Sequence, residues 1–489
     1  MKNIFKRAWA AWLLVPFIFG CSSYNRSMTT YYADIKSHNY DKALHSLEKN
    51  RLIKKDRNAL LYNMEMGKLH YLKNDAVKSN LYFNRADDIV ESQNKSLKDI
   101  ALGNMLNPMQ QAYRGEDYEK FMLYYYKAVN YAALGQTDDA LVEARRIALA
   151  SNTQNDKFAK KENRYSKDAF ALNLQGMIYE MAGDVNNAFI AYRNSADIYL
   201  KAGNNYYGVK MPQQLQLDLL RTATAMGFAG EGQRYEKLFN AGYVENTPAK
   251  NELILFIEEG AAPVKEEKNF VLTGGANGIN SFNYIDADGL DANFNFNAIA
   301  YGINEEKLSS LRTFRLALPT YRLQYQKSAG ISVMANNTTY TPQLAQNLNS
   351  IAVNVLKERF VTEMANALAR QLTKKLLEKG TQAIAQSMSK KKENTTADSS
   401  STAKEKQKRE NEQRSVLAGE VAGFVMNVFN TVTEKADTRN WQSLPAFVSY
   451  VRVPLHEGNN TITVNYNGSL ITLQVNGKDG LQMKSVVVN

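Results

Sequence analysis

A five-position spacing constrains this chain more than any single motif does. Gly176, Tyr179, Gly183, Ala188 and Tyr192 stand at offsets 0, 3, 7, 12 and 16, and Ala128, Tyr131, Gly135, Ala140 and Ala144 repeat those offsets. A third run keeps part of the pattern, with Gly67, Ser79, Phe83 and Ala86 at 0, 12, 16 and 19. On helices with 3.6 residues per turn, small residues at such positions let one helix approach the next while the rings fill the gap between them. Tyr40-Asp41-Lys42-Ala43-Leu44 reads as the opening of one more second helix. The small positions are unevenly spaced, 36 residues from Ala43 to Ser79, then 61 to Ala140 and 48 to Ala188, so helices or turns differ in length between units. A single pair of this kind cannot bury its apolar face alone, so neighbouring pairs must stack on one core.

The spacing resembles the tetratricopeptide repeat, and residues 21–248 are expected to form an all-α helical-repeat domain. A generic helical bundle with Ala/Gly contacts would satisfy the same spacing, and both readings give a binding surface rather than a pocket. Tyr118, Phe121, Tyr124, Tyr125, Tyr126 and Tyr131 crowd one helix. Neighbouring residues on a helix point about 100° apart, so three consecutive tyrosines are not expected to share one core. At least one of Tyr124, Tyr125 and Tyr126 is therefore expected at the surface, where tyrosine is a favoured interface residue. With Asn130 they form the candidate partner-binding set. Glu143, Arg145 and Arg146 on the following helix read either as a solvated face or as an anchor for a partner's acidic group.

Composition changes near 249. Leu253-Ile254-Leu255-Phe256-Ile257 is a strand-like run, followed by β-type segments at 281–284, 314–318, 321–325, 330–334 and 446–454. Residues 461–466, 470–475 and 481–488 are separated by Asn467-Gly468-Ser469 and Asn476-Gly477-Lys478-Asp479-Gly480, and are expected to form a three-stranded meander. Residues 249–489 thus read as a β-rich domain, making the whole chain α+β. Inside it lies an expected helical insertion, 342–436. Thr341-Pro342 reads as N-cap and first helical residue, and Leu344, Leu348, Ile351 and Val355 follow at helical intervals. A second helix is expected from Val416 to about Thr433. Residues 389–414, with eight Lys/Arg and five Asp/Glu among Ser and Thr, read as a flexible linker. The two helices would pack as a hairpin on the β domain, or else lie on an anionic surface through Lys357, Arg370, Lys374, Lys375 and Lys379.

Lys2, Lys6 and Arg7 precede an apolar run from Ala8 to Phe19, too short to span a bilayer but right for a secretory signal. It ends in Ile18-Phe19-Gly20-Cys21-Ser22-Ser23, which resembles the lipobox of bacterial lipoproteins. That resemblance implies cleavage of residues 1–20, acylation of Cys21, and, since Ser rather than Asp follows the cysteine, delivery to the outer membrane facing the periplasm. Several acyl chains at about 0.8 kcal/mol per buried CH₂ make such an anchor effectively permanent. Acylation would also consume the chain's one cysteine, which suits an oxidising compartment. The formal charge of +11 falls to +8 once Lys2, Lys6 and Arg7 are removed, and residues 389–414 hold +3 of that. Contact with peptidoglycan or another anionic polymer is expected there, and no nucleic-acid partner.

One cysteine and four scattered histidines leave no disulfide framework, no Cys/His catalytic pair and no all-protein zinc site. Thr273-Gly274-Gly275-Ala276-Asn277-Gly278 lacks both the Lys-Ser/Thr of a P-loop and the spacing of a dinucleotide site. No nucleophile elbow or zincin motif occurs, so no catalytic residue, cofactor or metal is assigned. Asp437, Arg439 and Trp441 are read as structural, with Trp441 in the core and Arg439 paired to Asp437.

Gly115–Lys120, Ala128–Gly135, Ala140–Arg146, Glu252–Lys265, Ala317–Arg322 and Ala436–Ala446 occur in an order that resembles a family of uncharacterised bacterial lipoproteins with tetratricopeptide-like repeats. The resemblance implies architecture and location but no activity. The expectation is a non-enzymatic, lipid-anchored scaffold that presents its repeats to an envelope protein. The alternative is a cell-wall-polymer binder or envelope enzyme working from the β domain.

Overall fold

The computed structural model describes residues 24–95, 108–158, 165, 167–242, 249–274, 281–285, 291–295, 313–328, 330–360, 363, 367, 435–478 and 480–488. Cys21 and the leader, the segment 389–414, the second expected helix, and Arg370, Lys374, Lys375 and Lys379 lie outside these residues.

The first half is a ladder of helical hairpins: α1 (Tyr24–Lys36) with α2 (Tyr40–Lys49), α3 (Ala59–Leu72) with α4 (Ala76–Lys95), and α5 (Asp117–Ala133) with α6 (Thr137–Phe158). It continues with α7 (Ala169–Met181) and α8 (Val185–Lys201), then α9 (Gln213–Ala225) and α10 (Ala229–Phe239). Every hairpin turns through three residues, and the middle one has positive φ: His38, Asn74, Gly135, Gly183 and Gly227. In each turn the next residue's N–H reaches back to a carbonyl five residues earlier, as Asp75 does to His70 and Asp184 to Tyr179. This is the left-handed helix stop that satisfies the last carbonyls of a helix. At Gly67 and Gly176 an added β-carbon would collide with the rings of Phe83 and Tyr192, sixteen residues on. The small residue in one helix is thus the seat of the ring in its partner.

The second half is strands: β1 (Asn251–Glu259), β2 (Val264–Gly274), β3 (Ser281–Ile285), β4 (Asp291–Asn295), β5 (Thr313–Arg322), β6 (Ile331–Ala335), β7 (Thr338–Tyr340), β8 (Gln343–Asn347), β9 (Phe447–Leu455), β10 (Gly458–Tyr466), β11 (Ser469–Gly477) and β12 (Gly480–Val488). They form sheets in the orders β12-β1-β9-β8, β11-β10-β6-β7 and β4-β3-β2-β5. The fold is mixed α+β. Strand β1 alternates faces as a doubly covered strand should. Ile254 and Phe256 join the helical core, while Leu253, Leu255 and Ile257 pack with Val333, Val453, Ile462 and Val464 between the first two sheets.

The helical core continues without a break into β1, β9 and β12, through Ile254, Phe256, Val448, Tyr450 and Met483. The composition change near 249 therefore marks a switch of secondary structure inside a shared core. Ion pairs add to the seam: Arg452 of β9 meets Glu180 at 2.6 Å, Asp218 at 2.6 Å and Glu252 at 2.9 Å.

Two expectations are corrected. Residues 343–347 are strand β8, paired with β9, and the helix begins at 348. Its cap is Asn347, whose Oδ1 accepts the Ser350 N–H at 3.0 Å. Pro342, which has no N–H to donate, precedes the strand instead of opening the helix. The meander also breaks: β10 and β11 pair around Asn467-Gly468, but β12 leaves them and runs parallel to β1. Its other face explains the departure, because Met483 packs into the helical core and Ser485 bonds Tyr71 of α3, partners that β11 could not supply.

Candidate functional site

Residues 437–445 thread between the helices and the sheets, and side chains from both halves converge on them. The Arg439 guanidinium, only 1% exposed, pairs with Asp437 at 2.6 Å and bonds Asn58 Oδ1 at 2.8 Å and the carbonyls of Gln111 and Pro108 at 3.0 Å each. Trp441 is fully buried among Phe83 and Tyr126. Both residues sit as the sequence led us to expect.

Two buried carboxyls hold this segment. Glu119 accepts from the Trp441 N–H at 2.7 Å, the Tyr113 hydroxyl at 2.5 Å and the Glu116 N–H at 2.8 Å. The last contact is half of the capping box that starts α5, so one side chain both caps a helix and grips the segment. Burial, aided by the charge of Glu116, pushes Glu119 up to about 7. Glu65 accepts from Tyr31 at 3.0 Å, Tyr32 at 2.7 Å and Ser443 at 2.5 Å, and burial raises it to about 7 against the pull of those bonds. Glu116 is buried as well, yet Arg359 and Lys265 outweigh burial and hold it near 2.

Beside Glu65, one helical turn along α3, Lys68 bonds Glu258 of β1 at 2.6 Å and Tyr126 at 2.8 Å, with its ammonium over the rings of Tyr71 and Tyr126. Burial lowers the Lys68 pKa, opposed by Glu258. Glu258 also accepts from Tyr71 at 2.5 Å, Tyr125 at 3.1 Å and Tyr126 at 2.9 Å. Four donors occupy its lone pairs, so it has little capacity left for a ligand.

Above this pair opens a cavity of about 210 Å³. Its walls are Tyr32, Ile35 and Lys36 of α1, Tyr40, Leu72, Tyr325, Pro445 and Val487, and its floor includes Lys68, Glu258, Gln442 and Ser443. Apolar walls with a few converging polar groups are what a binding site needs.

The partner-binding set is corrected. Tyr124, Tyr125 and Tyr126 are 7%, 1% and 0% exposed. The surface expectation assumed one covered side for α5, but helices cover one side and β1 the other, with the Tyr125 ring 5.4 Å from that of Phe256. Asn130 is buried and bonds Ser79 at 2.8 Å and Asn80 at 2.9 Å. Glu143 is buried against Lys127 at 2.9 Å inside the ladder, and Arg146, partly exposed, pairs with Asp87 and Glu91 at 2.8 Å each, so both are engaged within the chain. Arg145 and Lys357 are exposed. Sequence reasoning missed Glu65, Lys68 and Glu258. Their signal was present: Glu65 and Lys68 interrupt the apolar run Ala59–Leu72 three residues apart, and Glu258 ends the apolar run of β1.

Comparison with protein-family models and with curated proteins gives no match.

Proposed function

We propose that this chain is a lipid-anchored binding protein of the bacterial envelope, held in the outer membrane through Cys21 and acting as a scaffold for another envelope protein. The observation that carries this reading is the cavity at the seam: it is walled by aromatic and aliphatic side chains, and Lys68 and Glu258 on its floor are already hydrogen-bonded within the protein. That arrangement favours holding a ligand over transforming one. The five equal turns and the Gly67–Phe83 and Gly176–Tyr192 contacts support the likeness to tetratricopeptide repeats. In that likeness the inner helices would face a partner; here α3, α5 and α7 are covered by the chain's own sheet, so we place recognition at the cleft. Membership of the lipoprotein family named above rests on the sequence blocks alone.

The alternative, a polymer binder or an enzyme working from 249–489, gains nothing from the two carboxyls raised to about 7, because Glu65 and Glu119 belong to α3 and α5. Both are fully enclosed and saturated with protein donors, which disfavours it.

A photo-cross-linking residue in place of Lys36, at the cleft mouth, and another in place of Val142 on α6 test the reading in intact cells. The Lys36 position should give a discrete adduct and Val142 none, and Cys21→Ser should release the chain from membranes. Equal adducts at both positions, or unchanged membrane retention, would overturn it.

A further inference from the structure

We infer that β12 is a docking edge for an extended peptide segment, which adds as a further strand and places one aliphatic or aromatic side chain in the cavity. This deepens the binding reading above and rests on it for the cleft's role.

Strand β12 is the last of its sheet among the described strands, with β1 as its one neighbour. The Gly480 N–H bonds Lys250 and the Val488 carbonyl bonds the Gly260 N–H, so both ends point their backbone groups toward β1. Backbone groups alternate sides along a strand, and residues of the same parity, 482, 484 and 486, follow them. The N–H and C=O groups of Leu481, Met483, Ser485 and Val487 therefore face outward, and among the described residues none bonds another backbone group. Helices cover one face of β12 and the second sheet the other, through Met483 and Val486. Leu481, Gln482, Lys484, Ser485 and Val487 nevertheless keep partial exposure. Sheet proteins ordinarily shield an edge with short strands, charge or proline. This nine-residue strand has a single lysine, Lys484, and no proline.

The cavity supplies the second, independent observation. Val487 lies on the strand and also in the cavity wall, so a strand laid along β12 runs beside a residue that lines the cavity. Inside, Lys68 is 2% exposed and spends two of its three N–H donors on Glu258 and Tyr126. Lys36 stands in the wall with no acid among the other lining residues except the saturated Glu258, which favours an acidic residue beside the apolar one. Main-chain pairing gives affinity and the side-chain pocket gives selectivity, as in other strand-addition complexes.

The probe is an array of nonapeptides alternating Thr and Val, with Asp at one position and Leu, Phe, Glu or Lys next to it, read with the full chain from residue 22 onward. Leu and Phe should bind at least tenfold better than Lys, methylating alternate peptide nitrogens should abolish binding, and Val487→Arg or Ile35→Arg should each weaken it tenfold or more, with Val142→Arg unchanged. Amide exchange supplies a readout free of any variant: Leu481, Met483, Ser485 and Val487 should exchange quickly alone and become protected with the Phe peptide. Protection of those four amides without peptide, or binding indifferent to N-methylation, overturns the inference and leaves the envelope reading standing. Peptide binding that behaves as described while Lys36 gives no adduct in cells overturns the envelope reading and leaves this one.

Discussion

Arg439 brings a guanidinium into a space with almost no solvent, and its donors are spread over Asp437, Asn58 and the backbone carbonyls of Arg57, Gln111 and Pro108. Replacing it with Met leaves those acceptors buried without donors, so Arg439→Met should lose about 3–5 kcal/mol in denaturant unfolding. Glu65 and Glu119 act through pH. Both are raised to about 7 from an ordinary value near 4.5, so the folded chain holds two protons that the unfolded chain has released. Stability should therefore rise as pH falls from about 8 toward 5, by up to about 3 kcal/mol for each fully ionised reference. Below about 4.5 the sign reverses, because the unfolded chain takes up protons on Glu116 and Glu180 while the fold, which holds both near 2, keeps them ionised in their ion pairs until pH approaches 2. His70, lowered chiefly by burial, subtracts a little as pH drops through 6.5. Melting temperatures across pH 5–8 should flatten in Glu65→Gln/Glu119→Gln; an unchanged slope would assign it elsewhere. At this scale the sequence was half legible. The Asp-Thr-Arg-Asn-Trp block announced its own packing, whereas Tyr124–Tyr126 misled because the strand that covers them arrives more than a hundred residues later.

Among elements, the helical hairpins were legible wherever glycine marked them. Gly135 and Gly183 advertise a left-handed turn, but His38 and Asn74 adopt the same conformation without saying so. The close-approach glycines can be tested apart from the turn glycines. Gly176→Ala forces the Tyr192 ring to move, and Tyr192 bonds Glu180 at 2.8 Å, which in turn pairs with Arg452. A cost of about 1–3 kcal/mol is expected from overpacking. Gly183→Ala meets no neighbour and suffers only the strain of φ 78°, about 1 kcal/mol. Chemical denaturation of the two variants should rank them in that order. Strand β8 was illegible for a different reason. Leu344, Leu348, Ile351 and Val355 keep helical spacing across a boundary, and only pairing with β9, about a hundred residues further on, decides that the first belongs to a strand.

Over the whole molecule, the covering of α3, α5 and α7 by sheet makes the two halves interdependent. Residues 24–242 made alone would expose Tyr125, Phe170 and Tyr450's partner Asn173, and would leave Glu180 and Asp218 without Arg452. That fragment should aggregate or melt without a sharp transition, whereas residues 24–489 together should unfold in one cooperative step by calorimetry. A fragment that melts sharply on its own would show the seam to be dispensable.

The placing of β1 between β9 and β12 also orders events in time. The ribosome makes Leu253–Ile257 first among the strands, yet both of its neighbours come from the last few dozen residues. At about 5–20 residues per second this apolar run stays uncovered for tens of seconds. A polypeptide that cannot yet close its central strand stays unfolded, and so threadable, for that interval.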